Sequence, residues 1–196
     1  MIRSWIRTIR IAGRTHNLPH PFEDEVEWLV RTNHDLVLRG VDEIVAKVPP
    51  EDRDPDYTDE LRESATRMAL VALVTRLHHW IAELSADGTN INAAEKSLVS
   101  NMKRLNQRTG PAPVPLEFFE NLVTVRDSII HADSRDEWTY QRKNRRVADR
   151  YANRSFGEIE FTKEHLQEAI ESAQKQVKWY HEMLLDGHAR KGSANS

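Results

Sequence analysis

Apolar side chains recur along most of the chain at three- and four-residue intervals. Val26, Leu29, Val30, Val37, Val41, Ile44 and Val48 keep a 3.6-residue period between Pro19-Pro21 and Pro49-Pro50, which predicts one long helix. An acidic linker, Glu51 to Asp59, leads to Leu61, Ala65, Met68, Ala69, Ala72, Leu73, Leu77, Trp80 and Leu84. Val71 and Val74 fall on further faces of that run, so it is expected at the centre of a bundle, ending at Asp87-Gly88. A shorter helix is predicted from about Ile91 to Asn106, with Ala94, Leu98, Met102 and Leu105 on one face, before Gly110, Pro111, Pro113 and Pro115 interrupt the chain. Pro115 opens another. Between Asp136 and Phe161 the period fails, and Phe156 to Phe161 alternates briefly like a strand, so this stretch reads as an irregular insert. The last helix carries Leu166, Ala169, Ile170, Ala173, Val177, Tyr180 and Leu184 and is expected to stop at Gly187, leaving 187–196 as a disordered tail.

Residues 1–18 place Ile2, Trp5, Ile6 and Ile9 at helical spacing. Arg3, Arg7, Arg10 and Arg14 accompany them with no acid before Glu23, a pattern shared with transit peptides and read here as a first amphipathic helix. The fold class that follows is all-α: an antiparallel helical bundle forming one domain over 1–186, with a short basic insert before its last helix. No internal repeat is evident.

Composition narrows the function classes. Among 196 residues, 39% are hydrophobic and 30% charged, and 7 Gly and 8 Pro leave room for long helices, which disfavours an all-β fold. Without Cys, disulfides and thiolate metal sites are excluded, and a cytoplasmic location is expected. No apolar run reaches the ~18 residues of a membrane span, and no signal-peptide core is present. A net charge of −3 rules out coating nucleic acid through bulk charge, so any RNA contact must be local. None of the 9 His follows a Glu or Asp by three positions, which removes a di-iron bundle. Nucleotide-cradling glycine loops and the serine-hydrolase elbow are missing too. His78 and His79 point about 100° apart on a helix, as one core and one surface residue would, and no cofactor or metal is expected. Trp28, Trp80 and Trp179 are assigned to the core.

The informative segment is Pro115 to His131. Phe118, Phe119, Leu122, Val123, Val125, Ile129 and Ile130 project within an arc of about 160°, and Arg126 falls in its middle. A guanidinium there must meet a carboxylate, a dimer partner or an anionic ligand, because burying an isolated charge is prohibitive. Asp127 and His131 lie about 40° apart, close enough for the carboxylate to fix the imidazole. Arg126 and His131 are about 140° apart, so they converge only if the helix ends or if a second subunit contributes.

Arg126-Asp127 followed by Ser128, Ile129, Ile130 and His131 resembles the Arg-polar-x(3 to 5)-His motif of the HEPN superfamily of helical ribonucleases. Arg10/His16 and Arg14/His20 share the spacing, but only the 126–131 pair combines a polar residue after Arg, an apolar helical frame and a place ahead of a final amphipathic helix. The likeness covers residues 22 to 186 in architecture and Leu122 to Ser134 in motif. It implies a homodimer in which Arg126 and His131 are catalytic, Asp127 supports them, and RNA is cut without metal to leave a 2′,3′-cyclic phosphate. It also implies a toxin or antiphage-defence role, with an antitoxin or defence-system protein as partner. Family toxins silenced by a nucleotidyltransferase carry Tyr two residues after the His, where this chain has Asp133. The competing reading is a non-catalytic dimerisation or adaptor module in which Arg126 makes a structural ion pair.

After the motif, Arg135, Arg142, Lys143, Arg145, Arg146, Arg150 and Arg154 are interleaved with Trp138, Tyr140 and Tyr151. Such residues hold phosphates and stack bases. Arg135, Arg142, Lys143, Arg145 and Arg146 are the expected RNA-binding set.

Overall fold

Pro55, at the first turn of a 31-residue helix, supplies a pre-set φ, and Asp54 caps that turn by accepting from the Asp56 and Tyr57 amides at 3.0 and 3.2 Å. The computed structural model describes residues 8–11, 14–17, 21–86, 97–131, 152–153, 158–159 and 161–193, with side chains at 21–86, 97–130 and 161–184. Its helices are α1 (Pro21–Val26), α2 (Asn33–Lys47), α3 (Pro55–Ser85), α4 (Leu98–Thr109), α5 (Leu116–His131) and α6 (Lys163–Ser193). A π-helical segment, Glu27–Thr32, joins α1 to α2 without a break, and a single 3₁₀ turn, Pro50–Asp52, precedes α3.

The architecture is an all-α bundle with α3 at its centre, packed against α2, α4, α5 and α6. Leu70, Leu73, Val74, Leu77 and Ile81 of α3 are fully buried although they point in several directions, as the breadth of the apolar pattern required. One buried cluster runs from Phe22 and Val26 through α3 to Leu105, Phe119, Leu122, Val125, Phe161, Ile170, Val177 and Tyr180. Polar contacts tie its edges. Trp80 Nε1 donates to Glu25 at 2.8 Å, and Ser85 Oγ lies 3.2 Å from Asn101 Oδ1, joining the end of α3 to α4. Ser97 caps α4 by accepting from the Ser100 amide, and Gly110, at φ 85°, terminates it in a backbone region that suits glycine. No helix among the described residues is long and apolar enough to cross a membrane.

Several expectations are corrected. Within 1–18 the described backbone is an antiparallel hairpin, β1 (Thr8–Ile11) with β2 (Arg14–Asn17), rather than a helix. Thr8, Ile9, Ile11 and Thr15 are β-branched, so local preference there favours strand, while Ile2, Trp5 and Ile6 lie outside the described residues. The helix expected from Ile91 starts at Leu98 and reaches Thr109, residues 91–96 lying outside the described set. Gly187 does not end α6, which continues to Ser193: one glycine weakens a helix by about 1 kcal/mol without stopping it. Trp80 is buried, but Trp28 is 68% exposed. It stands midway between buried Val26 and Val30, two residues from each, which places it on the opposite side of the helix from the core. The brief alternation near Phe156 does form β4 (Glu158–Ile159), which pairs antiparallel with β3 (Ala152–Asn153).

Candidate functional site

Helix α5 carries the motif. Its buried side is Phe118, Phe119, Asn121, Leu122, Val125 and Ser128. Sequence pattern put Arg126 at the centre of this side; the packed arc is instead turned by roughly 60°, because Asn121 and Ser128 go inward and Ile130 is 52% exposed. Ser128 can go inward because its hydroxyl donates to the Thr124 carbonyl at 3.0 Å and so carries no unmet polar demand. Arg126 therefore stands at the margin of the buried arc, not in its middle.

There the Arg126 side chain is 22% exposed, and its Nε and Nη2 both donate to Asp127 Oδ1, at 2.9 and 2.6 Å. Asp127 is 45% exposed. The carboxylate fixes the guanidinium plane and leaves Arg126 Nη1 without a hydrogen bond to a described residue. Ile130, one turn further on, continues this accessible edge. His131 is the last residue of α5, and its side chain lies outside the described set. So do Arg135, Arg142, Lys143, Arg145 and Arg146. Arg126 and Asp127 are thus brought together, with His131 five residues along the same helix.

Histidine and acid elsewhere do not gather into a metal site: among the described residues no group of three could hold an ion. His79 is exposed and lies 3.3 Å from Glu83, while His78 is partly buried.

A second feature was not visible in the sequence. Between α2 and α3 runs an apolar groove of about 430 Å³, lined by Leu29, Val30, Val37, Val41 and Met68, with His34 at its floor. The Thr66 hydroxyl lies 3.0 Å from both the Arg62 carbonyl and His34 Nε2, and so ties the imidazole to α3. Burial pushes the His34 pKa down, Asp35 opposing and Lys163 reinforcing that shift. Its only sequence signal is a histidine where the apolar period calls for a core residue.

In comparisons with known families, curated proteins and solved structures, the chain matches none.

Proposed function

We propose that the protein is a metal-independent endoribonuclease that uses Arg126 and His131, with Asp127 as a positioning residue. The observation that carries this reading is the Arg126–Asp127 pair: a guanidinium held in one orientation at a partly accessible edge of α5, in the motif arrangement of the helical ribonucleases that the sequence resembles. A ribose 2′-hydroxyl gives up its proton to a base and attacks the adjacent phosphorus. The P–O5′ bond breaks, and the departing oxygen takes a proton. Imidazole exchanges protons near neutral pH, and a permanently charged guanidinium stabilises the added negative charge on phosphorus. Cyclic phosphate and 5′-hydroxyl ends result. Because Arg126 and His131 diverge by about 140° on one helix, a second copy completing the site through α5 is part of the proposal, with Ile130 at the contact. Arg135, Arg142, Lys143, Arg145 and Arg146 would hold the RNA. A toxin or defence role with a protein partner rests on the resemblance alone.

Purified wild-type chain should cleave RNA in the presence of EDTA. His131→Ala should reduce the rate on the order of 10² to 10⁴-fold and Arg126→Ala on the order of 10² to 10³-fold. Mass spectrometry should find 2′,3′-cyclic phosphate ends from the wild type only. Both partners of the 126–127 pair touch solvent, so Arg126→Ala strands no buried charge and should cost less than about 1 kcal/mol of stability. Undiminished cleavage by folded His131→Ala protein removes His131 from the mechanism. The adaptor reading is favoured by one observation, that the Arg126 partner is a carboxylate of its own chain. Wild-type protein that neither binds nor cuts RNA would decide for it.

A further inference from the structure

Helix α2 buries His34 and Val41, holds Leu38 and Val45 partly buried, and turns three large apolar side chains outward. Leu36 is 58% exposed, Val37 51% and Ile44 63%. In projection these three span an arc of about 100° with Gly40 near its middle. Leu29 and Met68, 41% and 59% exposed, continue the patch across the α2–α3 groove, where they and Val37 share the lining. The five side chains offer roughly 500 Å² of apolar surface, near the upper end of what a monomer leaves in one patch.

Gly40 is an independent observation. Glycine inside a helix weakens it relative to alanine, yet nothing within the chain requires one here: a Cβ at position 40 would meet no atom within 4 Å. A missing Cβ permits the close approach of another backbone.

Charge supplies the third. Arg39 and Glu43, one turn apart, lie on the same edge of this face, and neither has an ion-pair partner in its own chain among the described residues. When a helix packs antiparallel against its own copy about a two-fold axis, each edge meets the same edge. With the axis near Gly40, Arg39 faces Glu43 of the partner subunit, Leu36 faces Ile44 of the partner subunit, and the two glycines meet at the crossing. Parallel packing would set this edge against the opposite edge of the partner's helix, and Arg39 and Glu43 of the two copies would not meet.

We propose that α2 is a self-association surface, on which a second copy of this chain packs antiparallel across Gly40. The rim residues Asn33, Arg39, Glu43 and Lys47 add polar area to the apolar centre, bringing it toward the ~800 Å² per subunit of a standard interface. The surface is separate from α5 and does not rest on the nuclease reading.

Sedimentation equilibrium of the full chain tests it. Wild type should self-associate, and Ile44→Glu, which places two carboxylates in the apolar centre, should raise the dissociation constant on the order of 100-fold. Gly40→Gln should weaken association at least about tenfold while raising the melting temperature in an Ile44→Glu background, since the added side chain has room within its own chain and favours helix. Arg39→Glu and Glu43→Arg should each weaken association, and the two together should restore it, a rescue that a partner of different sequence would not give. The inference is overturned if wild type is monomeric at roughly 100 µM, if association ignores these variants, or if Ile130→Glu on α5 alone dissolves it.

Discussion

His34 and His181 are buried, 5% and 3% exposed, and in both burial holds the imidazole pKa below its ordinary 6.5. Asp35 opposes this at His34 and Lys163 adds to it; Glu182 opposes it at His181. As pH falls through 6.5 the unfolded chain takes up protons that the native chain refuses. The stability these residues contribute is therefore complete above pH 6.5 and lost as pH drops through their lower folded values. Urea midpoints should fall between about pH 7 and pH 5.5, and His34→Gln with His181→Gln should flatten that slope whatever it does to the midpoint itself. An equally steep slope in the double variant would place the titration elsewhere. Tyr180 shows the same principle in a group that stays neutral. Burial lifts its pKa to about 12, and its hydroxyl sits 2.6 Å from Asn106 Oδ1, joining α6 to α4. Tyr180→Phe should cost about 1 kcal/mol, measured by chemical denaturation; a neutral result would mean that water replaces this bond.

Several element ends were legible from residues with one local job: Pro49-Pro50 stops α2, Gly110 ends α4 and Pro115 precedes α5. The start of α3 was not, since it opens at Pro55 inside the stretch Glu51 to Asp59 that reads as a linker. Asp54 caps that start, and Asp54→Ala should cost about 1 kcal/mol, or roughly 2 to 4 °C in melting temperature, while Asp54→Asn should cost little. An equal loss in both variants would assign the effect to charge at the helix start instead of to the cap. What the sequence hid depends on comparing local preference with packing. The α1–α2 period looks like one uniform helix, but π-helical bonding over Glu27–Thr32 shifts the wheel and leaves Leu29, Val37 and Ile44 partly or largely in solvent. On α5 the polar residues Asn121 and Ser128 take the inner positions, which moved Arg126 from the centre of the face to its margin. The Arg126–Asp127 pairing was anticipated as one of three ways to satisfy a guanidinium; no periodicity argument could choose among them. Gly40 gave no sign of a role until the open space beside it was seen.

For the molecule as a whole, charge decides how RNA could be held. A net charge of −3 repels a polyanion at long range, so on the proposed nuclease reading binding would come from the run that includes Arg135, Arg142, Lys143, Arg145 and Arg146, adjacent in sequence to the Arg126–His131 motif. Each phosphate neutralised on a single strand contributes about −0.7 to the slope of log affinity against log salt. Replacing Arg142, Lys143, Arg145 and Arg146 by Gln should therefore make that slope shallower by up to roughly 3. Affinity at low salt should fall most, because that is where counterion release contributes most. Single-turnover cleavage by the same variant should slow through weaker binding, with the rate at saturating RNA retained, since none of the four is placed at the reacting atoms. Fluorescence anisotropy over a salt series separates the outcomes: a variant with wild-type affinity and slope would remove this run from the RNA-binding surface, and RNA binding would then have to be sought on another face.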